Sequence, residues 1–453
     1  MAQRTHFAEF SRTGALRFSD AAILAASIAV GIALCVFLES PSAFLCRFLA
    51  IAGVSLLLLY PECALAAYVV IGDVKGSEAV ASLFPFDLTL ALGAVLLAGI
   101  ALNLFRRRRP LSFPPVYLAF AALVAMMAAS LFYAPEFAAG FDKLGRFLTV
   151  TGIVIIAPFY VLNTPSAMKR FLIGFGVAAF AICAWSLSNL GSTHRLVSPS
   201  DNTIGLGHVA CALFVLIWIG IIARNSLPRR VLAYPLLAVA AVALLGSASR
   251  GSAIACALVV IVSVAWNRKL LVDVACLITV GIGAIPFLGI PGASISYLST
   301  LVRSQSIGDL LNFRADLLEY GWKLFEQHPL IGAGLAGYRY LSPNPTLYKW
   351  PHNIFLEVAC ELGIPGLLLV LAIFGSAIRE SLIQLRDQLS SYTSFSQITA
   401  ALLLVGLVNA VNTGNINSDR STWLFVSLVF AVRAFRARQD SRVEIRVPVL
   451  VGT

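Results

Sequence analysis

Long apolar runs separated by short polar breaks recur along this chain from residue 21 to residue 435. Runs at 21–38, 43–60, 62–72, 86–105, 113–133, 147–163, 170–190, 207–223, 231–248, 252–266, 270–290, 354–377, 395–412 and 421–435 each read as a candidate membrane helix. Residues 43–72 are short for two crossings, with a turn near Pro61, so the pattern predicts 12 to 14 helices. Three of the breaks are longer: 134–146, 191–206 and 291–351. In the last, Phe313, Leu317, Leu318, Gly321, Leu324 and Phe325 recur at helical spacing. They predict an amphipathic helix lying along the membrane–water boundary. It ends at Pro329, and the turn-rich stretch LIGAGLAGY follows.

Composition agrees with a polytopic chain. Of 453 residues, 59% are hydrophobic and 12% charged, and the mean hydropathy is +0.87, more apolar surface than a soluble core hides. The net charge of +11 would suit nucleic acid if it were clustered. With the N-terminus in the cytoplasm and the runs alternating, 21 of the 33 Lys and Arg but only 8 of the 22 Asp and Glu fall inside. The inner face then carries +13 and the outer face −2, the bias of a membrane protein oriented by its inner positive charge. This excludes nucleic acid as a partner. The first 20 residues are polar and the run 21–38 lacks a small-residue cleavage site, so no cleavable signal is expected. The eight cysteines sit mostly in apolar runs without CxxC or Cys/His clusters, as buried small hydrophobes do.

Against this background the polar anomalies fall on the outer side. Pro351-His352-Asn353 opens an apolar run that also contains Glu357 and Glu361, and ionisable groups in a span are functional candidates. Histidine titrates near neutrality, and a helix N-terminus keeps the ring neutral, as a base requires. His352 therefore reads as a base or as a capping, interfacial histidine. Glu357 and Glu361 share a helix face and suit either catalysis or pairing with an arginine or asparagine on a neighbouring helix. Arg250, in GSASRGS, and Arg314, opening the amphipathic stretch, could hold phosphate with their planar forks or snorkel to headgroups. Arg146 also lies outside, with Arg195, Arg303, Arg339 and Arg420. His208 begins the eighth run and is a further candidate. No GxxxxGK[ST], HExxH or loop DxD motif occurs, which argues against a nucleotide-sugar donor and a metal.

His352-Asn353, nine residues, then Gly363-Ile364-Pro365-Gly366 resembles the H[NSQ]-x9-GxxG signature of bacterial O-antigen ligases. Arg314, Trp322, HPLIGAGLAGYRYL at 328–341 and SRG at 249–251 are similar to the conserved part of the O-antigen ligase/polymerase superfamily. His208, in GLGH, stands near where many relatives carry asparagine. The resemblance covers about 200–380. The hydropathy and charge pattern gives an all-α polytopic bundle of 12–14 helices with one larger periplasmic loop at 291–351, and divides the chain into a cytoplasmic tail at 1–20, a membrane domain at 21–435 and a cytoplasmic tail at 436–453. The resemblance implies a GT-C-like fold in the bacterial inner membrane. It further implies a metal-independent, cofactor-free, inverting glycosyltransferase working at the periplasmic face among membrane lipids. The donor would be a glycan on undecaprenyl diphosphate. The acceptor would be the lipid A core for a ligase, or a growing O-antigen or exopolysaccharide for a polymerase. His352 would match the base; Arg250 and Arg314 would match the arginines on the donor diphosphate. A competing class, a flippase of lipid-linked sugars, predicts two halves with repeated hydropathy; the sequence has no such repeat.

Overall fold

A computed structural model describes residues 53–54, 56–84, 86–107, 114–188, 196–284, 304–387 and 392–444. The run 21–38, most of 43–60, the tail 1–20, His194, Arg195 and Arg303 lie outside them. The described residues are helical and contain no strand. In chain order the main helices are α1 Pro61–Val70, α2 Leu88–Arg107, α3 Val116–Ser130, α4 Phe137–Arg146, α5 Gly152–Val161, α6 Pro165–Leu187 and α7 Thr203–Ile217. There follow α8 Leu227–Ser247, α9 Arg250–Trp266, α10 Leu270–Ala284, α11 Ser304–Gln327, α12 Ile354–Arg386, α13 Thr393–Asn412 and α14 Arg420–Glu444.

Among the described residues, eight helical segments are long and apolar enough to cross a membrane, among them Phe137–Val161, Thr203–Ile222 and Ile354–Arg386. The chain is thus an all-α polytopic membrane protein. α1, α9, α10 and α14 take up further expected spans, but as shorter or more charged helices. Two expectations need correction. The stretch 134–146 is no loop: α4 continues through a π-helical turn, Phe147–Thr151, into α5, so Asp142, Lys143 and Arg146 ride on a helix. The last helix also runs on past residue 435 to Glu444.

Chain ends gather as the alternation of runs requires. At one end Arg170 pairs with Glu62, Arg433 with Glu380 at 2.8 Å and Arg230 with Asp273 at 3.0 Å. At the other, the Ser200 N–H donates to the Asp73 carbonyl at 3.1 Å and the Leu196 N–H to the Gly246 carbonyl at 2.9 Å. There too the Tyr133 hydroxyl donates to the Ile331 carbonyl at 2.6 Å. Between the ends lies an apolar core centred on Trp423, whose ring meets Phe120, Phe147 and Phe374 at centroid distances of 5.7, 6.0 and 5.6 Å. Large side chains such as Leu232, Val272 and Leu368 point outward, as lipid-facing positions do.

The GIPG sequence is a helix break. Gly363 has φ 67° and ψ −165°, a conformation for which glycine is the natural residue. The break frees carbonyls above it and N–H groups below it, all of which need partners when buried. The loop after α11 supplies them. Ala333 and Gly334 N–H groups donate to the Cys360 and Glu361 carbonyls at 2.8 and 3.1 Å, and Ile364 N–H donates to the Pro329 carbonyl at 2.8 Å. Pro365 falls in the first turn of the restarted helix, where its missing N–H is no loss. The turn-rich LIGAGLAGY is therefore a clamp: at Gly332, φ +76°, an added Cβ would sit 2.3 Å from the Glu361 carbonyl carbon. α11 seats on the upper half of α12 as its pattern predicts, with Leu317 and Leu324 buried. Gly321 packs so closely there that a Cβ would meet Leu356 at 2.9 Å.

Candidate functional site

The upper half of α12, above the break at Gly363, carries His352 and Asn353 at its mouth. Asn353 is the N-cap: its side chain accepts from the Leu356 N–H at 3.0 Å. This is a structural role, equivalent to the residue types favoured at that position. His352 precedes the cap with φ 56°, in the left-handed region that histidine visits more readily than most residues. Its ring is half-buried. The Trp350 indole N–H donates to Nδ1 at 3.2 Å, so Nδ1 bears the lone pair. The Thr413 backbone carbonyl stands near the ring and favours its charged form. Burial first, then the charge of Arg314, lower the His352 pKa from 6.5; the Thr413 carbonyl and Glu357 pull the other way. The ring is neutral at physiological pH.

Arg314 and Arg250 reach this point from elsewhere in the chain. Arg250 is the first residue of α9, preceded by Ala248 in a left-handed turn at φ 55°. The following Gly251 packs against Asn412 and Thr413. Arg314, exposed on α11, lies within electrostatic reach of both Arg250 and His352. Among the described residues neither arginine is paired with a carboxylate. Two adjacent guanidiniums without counter-charge make a place for an anion.

His208 joins the group through Thr413: its Nε2 lies 3.0 Å from Thr413 Oγ1, and its Nδ1 lies 4.0 Å from Asp419. The glycines around it are explained by neighbours. A Cβ on Gly205 would lie 1.9 Å from the Asp73 carboxylate, and one on Gly207 would lie 2.4 Å from Ser249. Thus GLGH lets Asp73 and the Arg250 turn press against the first turn of α7.

Glu357 and Glu361 do pair, but with a residue whose role the sequence hid. Lys143 on α4 donates to Glu357 at 2.5 Å and to Glu361 at 2.6 Å. All three are well buried. Glu357 also accepts the Ile416 N–H at 2.9 Å, while Trp423 donates to the Ile416 carbonyl at 3.0 Å. Glu357 therefore anchors the loop 413–419 at Ile416, and Lys143 ties both carboxylates together. Arg146 stands apart, exposed and held by Asp142 on its own helix at 2.9 Å. Lys143, Thr413, Trp350 and Asp73 are the residues that sequence reasoning missed.

A histidine and two arginines gathered at one end of a polytopic bundle are candidates for a functional site. Residues 235–371 match the family model described as O-antigen ligase, a stretch that takes in Arg250, Arg314, His352 and the Gly363–Gly366 break. Over that stretch the chain is similar to the O-antigen ligase family, which supports an activity of ligase or polymerase type in general. No curated protein matches the chain.

Proposed function

We propose that this protein is an inverting glycosyltransferase of the bacterial inner membrane that works at the periplasmic face. It moves a glycan from undecaprenyl diphosphate to a hydroxyl of the lipid A core. The observation that carries the reading is Arg314 within electrostatic reach of both His352 and Arg250, three residues from elements far apart in the chain. Arg250 and Arg314 hold the donor diphosphate, where charge develops as the bond to the anomeric carbon breaks and preorganised donors act most strongly. Nδ1 of His352 is the base, because it alone bears a lone pair. The acceptor hydroxyl takes the place of the Trp350 indole and gives its proton to Nδ1. Its oxygen attacks the anomeric carbon from the face opposite the diphosphate, and undecaprenyl diphosphate leaves with the electron pair. The reading calls for no metal or cofactor. It assigns 21–435 to the membrane domain and 200–380 to the catalytic region within it.

The test in cells is deletion of the gene and extraction of lipid-linked glycans. A ligase leaves polymer on undecaprenyl diphosphate; accumulation of single repeat units instead would make the protein a polymerase of O-antigen or exopolysaccharide. The test in vitro separates the two ends of the bundle. Arg250→Lys keeps the charge but loses the fork, so the donor KM is expected to rise about tenfold. Arg379→Lys, on the lower part of α12, should leave it unchanged. Equal effects of the two would count against a diphosphate site at Arg250.

A further inference from the structure

Beside His352, on the far side of Thr413, lies a cavity of about 280 Å³. Its rim is formed by Asp73, Asn202, His208, Asp419 and Arg420, and its floor includes Phe175, Val209 and Ala212. We propose that this cavity is the acceptor subsite, which holds one neutral sugar ring of the acceptor while a neighbouring hydroxyl reaches His352. The proposal rests on the glycosyltransferase reading above and adds to it where the acceptor binds.

Size is the first argument. Small-molecule pockets begin at roughly 300 Å³, so this one suits a single ring and excludes a polyprenyl chain. Charge is the second. Lys75 at the rim is already bound to Asp87 at 2.9 Å. Arg420 acts on Asp73 and lies over the Tyr68 ring with its centroid 5.6 Å away. Among the described residues Arg420 forms no ion pair, but Asp73 and Asp87 act on it and the Asp73 and Asp419 carboxylates line the same cavity, so its positive charge is offset there and a diphosphate would meet two carboxylates. The third argument is the free acceptor capacity of Asp73. Among the described residues no side chain or backbone donor hydrogen-bonds its carboxylate, which presses on the first turn of α7 at Gly205. Burial pushes Asp73 up to about 6, against the pull of Arg420. A half-buried carboxylate with no donor bonded to it is free to accept from sugar hydroxyls. Finally, Thr413 connects the two places: its hydroxyl meets His208 and its carbonyl stands near the His352 ring.

The experiment uses the full chain in lipid nanodiscs, with an undecaprenyl-diphosphate glycan as donor and purified lipid A core as acceptor. Two variants are compared: Asp73→Asn, and Ser418→Trp, which places a ring into the cavity from an exposed rim position and spares the buried core. Both are expected to raise the acceptor KM about tenfold or more and to leave the donor KM at its wild-type value. Unchanged acceptor KM in Ser418→Trp overturns the subsite, as does a rise in donor KM in place of acceptor KM. His352→Ala is run in parallel. If it is inactive while both cavity variants behave as wild type, the subsite alone falls. If it transfers normally, the catalytic reading falls.

Discussion

Replacement of His352 by alanine is expected to lower glycan transfer by about 10²–10⁴-fold, the usual contribution of a positioned base. The protein should still insert, bind donor and elute as a single species. The ring makes few packing contacts that the fold needs, because the helix is capped by Asn353 and the break below is clamped by the loop from α11. The pH profile gives a second reading of the same residue. Burial and Arg314 lower the His352 pKa beneath 6.5. Since the neutral ring is the active form, kcat/KM for acceptor should climb through that lowered value and stay level from about pH 6.5 upward. Arg314→Gln removes a positive charge from beside the ring, raises its pKa and should carry the acid limb to higher pH. A limb that does not move would take Arg314 away from His352, and near-normal transfer by His352→Ala would remove the base from the mechanism.

The second large effect concerns stability. Lys143→Ala leaves Glu357 and Glu361 buried without a counter-charge, and loss of one partner from a buried ionic cluster costs about 3–5 kcal/mol. Thermal unfolding of the detergent-solubilised protein should show a clear drop in midpoint. The triple variant Lys143→Met, Glu357→Gln, Glu361→Gln removes every charge together and should recover much of the loss. If Lys143→Ala unfolds like the wild type, the triad contributes little. Activity should fall along with stability in Lys143→Ala, because Glu357 holds the Ile416 N–H. The loop carrying Thr413 and Asp419 would lose that anchor.

The two predictions differ in how far the sequence foretold them. His352 was visible because a histidine and an asparagine at the mouth of an apolar run stand out locally. Arg250 and Arg314 were visible because the charge bias put both on the outer side, and α11 was visible from its helical spacing. Lys143 was hidden. Asp142, Lys143 and Arg146 interrupt the apolar run, and such an interruption reads as a loop; only the π-helical turn after them keeps the helix going. Its partners lie more than 200 residues away, and periodicity reports which face of a helix is buried, never against what. Asp73 and Thr413 were hidden for the same reason: each is one polar residue at a helix end, and its meaning comes from distant neighbours. Asn353, with its cap geometry, shows the converse, since a local signal gave it prominence that a local role explains.

The break at Gly363 makes the upper half of α12 a ruler. Nine residues, 354–362, separate the cap from the clamped glycine, and at about 1.5 Å per residue they fix the height of His352 above the clamp. They also fix its bearing, because each helical residue turns the chain by about 100°. One inserted residue would swing the imidazole round to another side of the bundle. The spacing in the signature is therefore an angular setting as much as a distance. The GIPG sequence is the fixed zero from which that setting is measured.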